Sequence, residues 1–229
     1  MRFFSSVDFR NIRSGITPTH RLLLTLAAGF LLLLIPDLAT AQKSLSGRLQ
    51  AGDIVFQKLP CGGLCDAIIA TTPCANKRRF NHCGIIVQDS GKLFVVEAIG
   101  QAVQQTPLTR FISRDTSRQL FVGRAKGSPT LRKQYAQASL RYVGRPYDDP
   151  FLPGDSALYC SELVWEAFTQ DGQKIFPLAP MTFKASGKTH PAWEAYYQSI
   201  QQPIPEGLPG INPCAIANSP KIRFFSIRK

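Results

Sequence analysis

The sequence predicts an α+β domain in which an antiparallel sheet packs against helices. Short strand-like segments rich in β-branched residues fill the first half, and the apolar pattern changes to a helical period after about residue 130. Strands followed by helices are typical of the α+β class. Hydrophobic residues make up 44% of the 229 and charged residues 18%, which is enough apolar material for a core and excludes global disorder.

The first 41 residues have the basic, apolar and small-residue order of a secretory signal peptide. Four arginines are followed by an uncharged stretch, residues 22–35, and then by Ala-Thr-Ala at residues 39–41. At ~1.5 Å per residue this stretch extends about 21 Å, which is short of the ~30 Å hydrocarbon core. An uncleaved N-terminal anchor is the alternative. We expect a signal peptide over residues 1–41 and an exported domain, periplasmic or secreted, over residues 42–229.

The chain is strongly basic. Its formal charge is +12, and loss of a leader carrying four arginines and two acids leaves +10. A basic exported protein is attracted to anionic surfaces such as phospholipid headgroups or wall polymers. A solvated basic face without a partner is the simpler interpretation. Because no nucleic-acid-binding module is recognisable, we expect no nucleic-acid partner, and the oligomeric state is not indicated.

Six cysteines are informative in an exported protein, because oxidising compartments favour disulfides. Four cluster, and two stand apart: Cys61, Cys65, Cys74 and Cys83, then Cys160 and Cys214. We expect at least one disulfide within the cluster. If Cys160 is a free nucleophile, at least one other cysteine has no partner in the chain. His82 adds a zinc-type ligand to Cys61, Cys65 and Cys74, but their spacing matches no standard zinc pattern, so we expect neither metal nor cofactor.

The strand pattern predicts a hairpin at the centre of the sheet. The predicted strands cover residues 54–56, 83–87, 93–99, 102–108 and 119–125, the last two with weaker patterns. Asp-Ser-Gly at residues 89–91 marks the hairpin turn. Residues 58–79 form a Cys-rich insertion between the first two strands.

Two helices are predicted in the second half. One covers residues 130–143 and ends at Gly-Arg-Pro, and the other covers residues 161–170 with apolar side chains on one face. A loop rich in Pro, Gly and Asp joins them. The remaining residues, to Lys229, contain short apolar pieces and several prolines, and we expect this Pro-rich tail to wrap the surface.

Cys160 stands directly between that loop and the second helix. The positive end of a helix dipole stabilises a thiolate, so this position favours a nucleophile. The N–H groups of the first helical turn are also suited to stabilising an oxyanion. The alternative is a buried structural cysteine at a helix start.

His82 and Glu97 face each other in the predicted hairpin. His82 begins the second strand, and Glu97 lies within the apolar third strand. A buried carboxylate needs a partner, and an imidazole that it orients can act as a general base. A structural histidine and a solvent-facing Glu are the alternatives.

Two segments resemble the NlpC-type cell-wall cysteine peptidases. "GRPYDDPFLPGDSALYCSELVWEAF" is similar to their cysteine half, and "AGDIVFQ" followed by "NHCGIIVQDSGKLFVVEA" is similar to their histidine half. In the ordinary family the cysteine half comes first, whereas here the histidine half does. That order resembles the circularly permuted branch, the YiiX-like papain-fold amidases related to lecithin retinol acyltransferase. The likeness covers about residues 51–168, and "TPLTRFI" and "GLPGINP" resemble this branch more weakly.

The resemblance implies a permuted papain-like fold with Cys160 as nucleophile, His82 as base and Glu97 as the third polar residue. Ordinary NlpC-type enzymes usually have His at the position of Glu97. Tyr147, Tyr159 and Ser161 are candidates for lining the cleft or assisting the oxyanion, and a packing role is the alternative for both tyrosines.

The expected function is an exported cysteine hydrolase that cleaves amide bonds in cell-wall peptides or in lipid-linked acyl groups through an acyl-enzyme. An acyltransferase or lipid (thio)esterase of the same fold is the first alternative. A non-catalytic binding module braced by disulfides is the second. An apolar cleft favours a lipid substrate, a polar groove favours a wall peptide, and a disulfide at Cys160 favours the binding module.

Overall fold

A computed structural model of the protein describes residues 47–154 and 156–229. The predicted leader lies outside the described residues. The strands of the main sheet are β1 (Asp53–Gln57), β2 (His82–Asp89), β3 (Lys92–Ile99), β4 (Ala102–Pro107), β5 (Gln119–Ala125) and β12 (Ile222–Arg228). The helices are α1 (Gly63–Thr71), α2 (Leu108–Ser113), α3 (Pro129–Leu140), α4 (Cys160–Ala167), α5 (Pro191–Ser199) and α6 (Pro213–Ala217).

The main sheet confirms the antiparallel α+β prediction. Its six strands, within the described residues, lie in the order β12-β5-β1-β2-β3-β4, and every neighbouring pair is antiparallel. β2 and β3 form the predicted hairpin, in which Ile85 pairs with Val96. The two weaker strand predictions, β4 and β5, are also confirmed.

The two faces of the sheet carry separate apolar cores. Side-chain alternation sends Ile54 and Phe56 to the face that α3 and α4 cover, and Val55 to the opposite face. On that opposite face α2 buries Leu108 and Phe111. The central strands of the sheet are therefore covered on both sides.

The second predicted helix is shorter than expected. It ends at Ala167, and residues 169–170 instead pair as strand β6 (Thr169–Gln170) with β7 (Gln173–Lys174). Asp171 and Gly172 both have positive φ, which forms a tight hairpin turn that a helix cannot continue through.

The sequence predicted that the C-terminal segment wraps the surface. In the structure this segment also contributes to the sheet and to the core. β12 pairs with β5 along seven residues and forms one edge of the sheet, and α5 buries Trp193 and Tyr197. Short strand pairs connect these pieces: β8 (Ala179–Pro180) with β11 (Pro209–Gly210), and β9 (Lys184–Ala185) with β10 (Lys188–Thr189). The sequence did not predict these elements, because prolines and isolated apolar residues interrupt any periodic pattern in this segment.

The Gly-Asp pair before β1 has a structural role. Gly52 has φ 84°, and a Cβ there would lie 2.1 Å from the carbonyl oxygen of Arg132, so only glycine fits. The buried Asp53 accepts two hydrogen bonds of 2.7 Å from Arg124 on β5. This ion pair fixes β1 against β5.

Two disulfides connect the irregular segments. Cys61 bonds Cys65 at the start of α1, as predicted for the cluster, and Cys74 bonds Cys214 in α6. Cys83 and Cys160 are free and buried. Over the described residues, no helix is long and apolar enough to cross a membrane.

Candidate active site

Cys160 is the first residue of α4. Tyr159 before it has extended backbone angles, so the chain enters the helix directly from the loop. The buried Glu162 accepts a hydrogen bond from the backbone N–H of Gly154 at 3.1 Å, and a longer one of 3.4 Å from Tyr159. These bonds fix the loop that leads to the nucleophile candidate, and the apolar face of α4 packs against β2.

His82 and Glu97 meet across the β2–β3 hairpin. His82 Nε2 lies 2.6 Å from Glu97 Oε2, and both side chains are buried. Gly84 makes room for this contact, because a Cβ there would lie 3.1 Å from Glu97 Cβ and 2.5 Å from a Val95 methyl group. The glycine of the His-Cys-Gly motif thus allows the carboxylate to reach the ring.

The imidazole of His82 also hydrogen-bonds Cys160. Because Nε2 is bound to Glu97, Nδ1 is the nitrogen left for the sulfur. Glu97 and Val95 lie two residues apart and therefore on the same face of β3, the face covered by α2, whereas α4 lies on the other face. His82 is the first residue of β2, and from this strand end its ring contacts both Glu97 on one face and Cys160 on the other.

The site favours a thiolate–imidazolium pair. Burial lowers the pKa of His82, but hydrogen bonds to Cys160 and Glu97 outweigh it and raise that pKa to about 9. A hydrogen bond with Cys83 holds the pKa of Cys160 well below its usual value; burial opposes this effect and His82 adds to it. At neutral pH the shared proton therefore resides on the imidazole.

Cys83 follows His82 on β2 and contacts Cys160 through its thiol and its backbone N–H. Burial, and its hydrogen bond with Cys160, raise the pKa of Cys83. It therefore stays a neutral thiol that donates to the Cys160 sulfur. The sequence places Cys83 in the cysteine cluster and does not predict this contact.

Arg114 completes the polar surroundings of Glu97 and was not predicted. Its Nη2 donates to Glu97 Oε1 at 2.6 Å and to Oε2 at 2.7 Å. Burial raises the pKa of Glu97, but the hydrogen bond and charge of His82, a hydrogen bond to Thr106 and the charge of Arg114 lower it overall. The carboxylate is therefore ionised.

A cavity of about 220 Å³ opens beside Cys160. Its walls come from α1, the loop before α4 and the C-terminal segments, and its side chains are mainly apolar. Representative lining residues are Ile68, Phe151, Met181, Phe183, Trp193 and Ile211. Asn81, which also lines it, holds the insertion through two hydrogen bonds with the backbone of Leu59.

Tyr147, Tyr159 and Ser161, the sequence candidates for lining the cleft, all line this cavity. Tyr159 accepts a hydrogen bond from the Ile211 N–H, and Ser161 donates one to the Ile211 carbonyl. Both hydroxyl groups therefore hold the C-terminal segment. Tyr147 is placed by a bridge between Pro146 and Ala102.

Comparisons with known proteins show the family to which the chain belongs. Residues 48–225 match the model of a family described as "Permuted papain-like amidase enzyme, YaeF/YiiX, C92 family". An uncharacterised protein, YiiX of Escherichia coli strain K12, is 30% identical over 201 residues, covering 83% of this chain and 92% of YiiX.

A solved structure is also similar. The crystal structure titled as metalloprotein yiiX from Escherichia coli O157:H7 has a TM-score of 0.65 and 26% identity, covering 79% of this chain and 97% of that one. The family match spans most of the chain and includes Cys160, His82 and Glu97. The chain therefore belongs to the permuted papain-like amidase family, YaeF/YiiX.

Proposed function

We propose that this protein is an exported cysteine amidase that releases an apolar acyl group from an amide through a covalent acyl-enzyme. The observation that carries the proposal is the contact of Cys160 with His82 at the start of α4, with Glu97 bound to the other ring nitrogen. A family of amidases supports the same reaction class.

The reaction follows from the resting charges. The Cys160 thiolate attacks the amide carbonyl, and N–H groups of the first turn of α4, which lack intrahelical acceptors, are placed to stabilise the oxyanion. His82 gives its proton to the leaving amine as the C–N bond breaks, which leaves a thioester on Cys160. His82 then takes a proton from water, which attacks the thioester and releases the acid and the thiolate.

The apolar walls of the cavity support a lipid-linked acyl group over a wall peptide. A peptide substrate needs polar partners along its backbone, whereas the cavity offers mainly aliphatic and aromatic side chains. Each methylene that moves from water into such a cavity contributes about 0.8 kcal/mol, or roughly fourfold in binding. Specificity would therefore follow acyl-chain length.

The solved relative is titled a metalloprotein. In residues 47–154 and 156–229 no group of three or more His, Cys, Asp or Glu side chains is arranged to hold a metal ion. Three of the four zinc-type ligands considered from the sequence are cysteines in disulfides. The described residues do not fit a metal centre, and the mechanism assigns no step to one.

Chain-length dependence tests the substrate proposal. The purified protein is incubated with fluorogenic N-acyl amides from acetyl to dodecanoyl and, separately, with purified wall stem peptides. We expect kcat/KM to rise with chain length until the cavity is filled, and mass spectrometry to find the acyl group on the Cys160 peptide. Turnover of stem peptides with no gain from acyl length would contradict the lipid assignment.

Export is proposed from the leader and is supported by the two disulfides, which persist in oxidising compartments. Mass spectrometry of the periplasmic or secreted protein should find Gln42 at the N-terminus. A full-length cytoplasmic protein with reduced cysteines would contradict it.

A further inference from the structure

The buried carboxylate of Glu97 has two cationic partners, one of which the proposed mechanism does not use. Glu97 is fully buried, whereas Arg114 keeps 25% of its side chain exposed. Burying an ionised carboxylate costs several kcal/mol unless charged and hydrogen-bonding partners compensate. His82 satisfies one oxygen, and the Nη2 of Arg114 donates to both.

In the thiolate–imidazolium state these side chains form a row of alternating charge. Cys160 is negative, His82 positive, Glu97 negative and Arg114 positive, so the row has no net charge. Without Arg114, two anions would flank one buried cation. Glu97 would then repel the thiolate with only the imidazolium to offset the two negative charges, or would take up a proton and lose its hold on the charged ring.

We propose that Arg114 is a positioning residue whose charge balances Glu97 and so allows a carboxylate, in place of a neutral third residue, to support a Cys160 thiolate. This inference rests on the proposed function of Cys160 and His82. Arg114 donates to Glu97 and acts through it.

The surroundings of Arg114 agree with this dedicated role. The guanidinium lies 5.2 Å from the ring centroid of Phe111, which is itself buried under the sheet. Within the described part of the chain its buried Nε has no hydrogen-bond acceptor. Glu97 and the aromatic ring thus hold the guanidinium.

Other polar and titratable groups surround the row. They are Cys83 and Tyr147 near Cys160, Thr106 as a neutral donor to Glu97, and Asp115 with Lys229 beyond Arg114. Every variant below keeps these groups, so differences between the pH profiles of the variants reflect changes in the charged row alone.

The test is the pH profile of Cys160 alkylation by iodoacetamide, read by mass spectrometry on the Cys160 peptide so that Cys83 does not contribute. Arg114→Met should shift the acid limb upward by about one pH unit, which is roughly a tenfold loss of rate on that limb. Arg114→Lys should recover most of it because the charge is kept. Arg110→Met removes the same charge from an exposed position on α2 and should leave the profile unchanged.

The double variant separates charge balance from a general structural effect. In the Glu97→Gln background no buried carboxylate needs a counter-ion, so Arg114→Met should cause no further shift. An equal shift in both backgrounds, or none in either, overturns the inference. Circular dichroism confirms folding, and Arg114→Lys serves as the folded variant if Arg114→Met unfolds.

The wild-type profile tests the proposed function on its own. If wild-type Cys160 alkylates only as a model thiol does, the proposed function fails. If wild-type Cys160 is activated and Arg114→Met matches it, only the Arg114 inference fails.

Discussion

The two halves of the candidate site are built in different ways. The charged row is carried by regular elements, since His82 and Glu97 lie on neighbouring strands and Cys160 begins a helix that packs on one of them. The wall of the cavity is built from short helices and loops that lie far apart in the chain, and the Cys74–Cys214 disulfide joins two of these segments.

This difference indicates how reaction and specificity are divided in the fold. Strand pairing and helix packing fix the reactive groups, so changes there should act on chemistry and leave the fold intact. Cross-links and side-chain volume shape the cavity, so changes there should act on stability or on the choice of substrate. Each of the following predictions tests that division.

The largest expected effect is on chemistry alone. Cys160→Ala should remove acyl-enzyme formation and lower turnover by at least about 10⁴-fold, and His82→Ala should come close because the two act as a unit. Intact-protein mass spectrometry measures the acyl-enzyme, and circular dichroism should remain as in the wild type. Retained turnover in Cys160→Ala would move the nucleophile elsewhere.

The next effect is on stability and distinguishes the two disulfides. Cys74 and Cys214 are 140 residues apart, and Cys61 and Cys65 only four. In the chain-entropy model, the cross-link that closes the long loop raises the free energy of unfolding by about 5 kcal/mol, and the one that closes the short loop raises it by about 2 kcal/mol. Cys74→Ala/Cys214→Ala should therefore lower the free energy of unfolding more than Cys61→Ala/Cys65→Ala, as measured by urea denaturation.

An equal loss of unfolding free energy from both double variants would contradict the larger contribution expected of the long cross-link. The rate of iodoacetamide alkylation of Cys160 in the folded fraction is the control. It should be unchanged in both, because neither disulfide belongs to the charged row.

A smaller effect is expected on the pH dependence of turnover. The raised pKa of His82, about 9, means that its proton is present at neutral pH and is lost as the pH rises through 9. Activity should therefore fall above pH 9, because a neutral imidazole has no proton for the leaving amine. Glu97→Gln removes the charge that helps to raise this pKa, so the alkaline limb should move to lower pH with a loss of roughly tenfold at pH 8.

The kcat/KM profile of the two proteins between pH 5 and 10.5 measures this shift. An alkaline limb that stays in place in Glu97→Gln would show that Glu97 does not act on the imidazole.

The smallest effect is on chain-length preference. Ala179 lies at the exposed rim of the cavity, and Ala179→Phe should reduce its volume. We expect kcat/KM for dodecanoyl amides to fall about tenfold, the equivalent of roughly two methylenes, and that for acetyl amides to stay constant. Ala195→Phe, at an exposed position on α5 that does not line the cavity, is the matched control. A similar loss for both chain lengths would place the apolar substrate elsewhere.

The same division separates what the sequence could predict from what it could not: the reactive groups were predictable and the cavity was not. The hairpin, the helix start at Cys160 and the pairing of His82 with Glu97 depend on local patterns: alternation, a turn and a loop–helix boundary. The sequence therefore located these three residues, and the structure brings them together. The helix end at residue 167 and the strand β12 were missed, because positive φ at Asp171 and long-range pairing with β5 leave no periodic signal.

The role of Arg114 and the cavity could not be predicted from the sequence, and the reason is physical. A buried Glu97 requires a counter-ion, but Arg110, Arg114 and Arg118 follow it at regular spacing, and nothing local selects one of them. Cys214 has no distinguishing neighbourhood that would identify Cys74 as its partner. Both features arise from contacts between distant segments.

The two hydrogen bonds of Ile211 have a consequence for local opening of the structure around Cys160. Its backbone N–H donates to the Tyr159 hydroxyl and its carbonyl accepts from Ser161, so one residue of the C-terminal segment holds both neighbours of Cys160. The amide hydrogens of Ile211 and of the first turn of α4 should therefore exchange with solvent as one cooperative unit. An acyl chain bound against Ile211 would slow that exchange, so the segment that holds the substrate would also steady the nucleophile during the reaction.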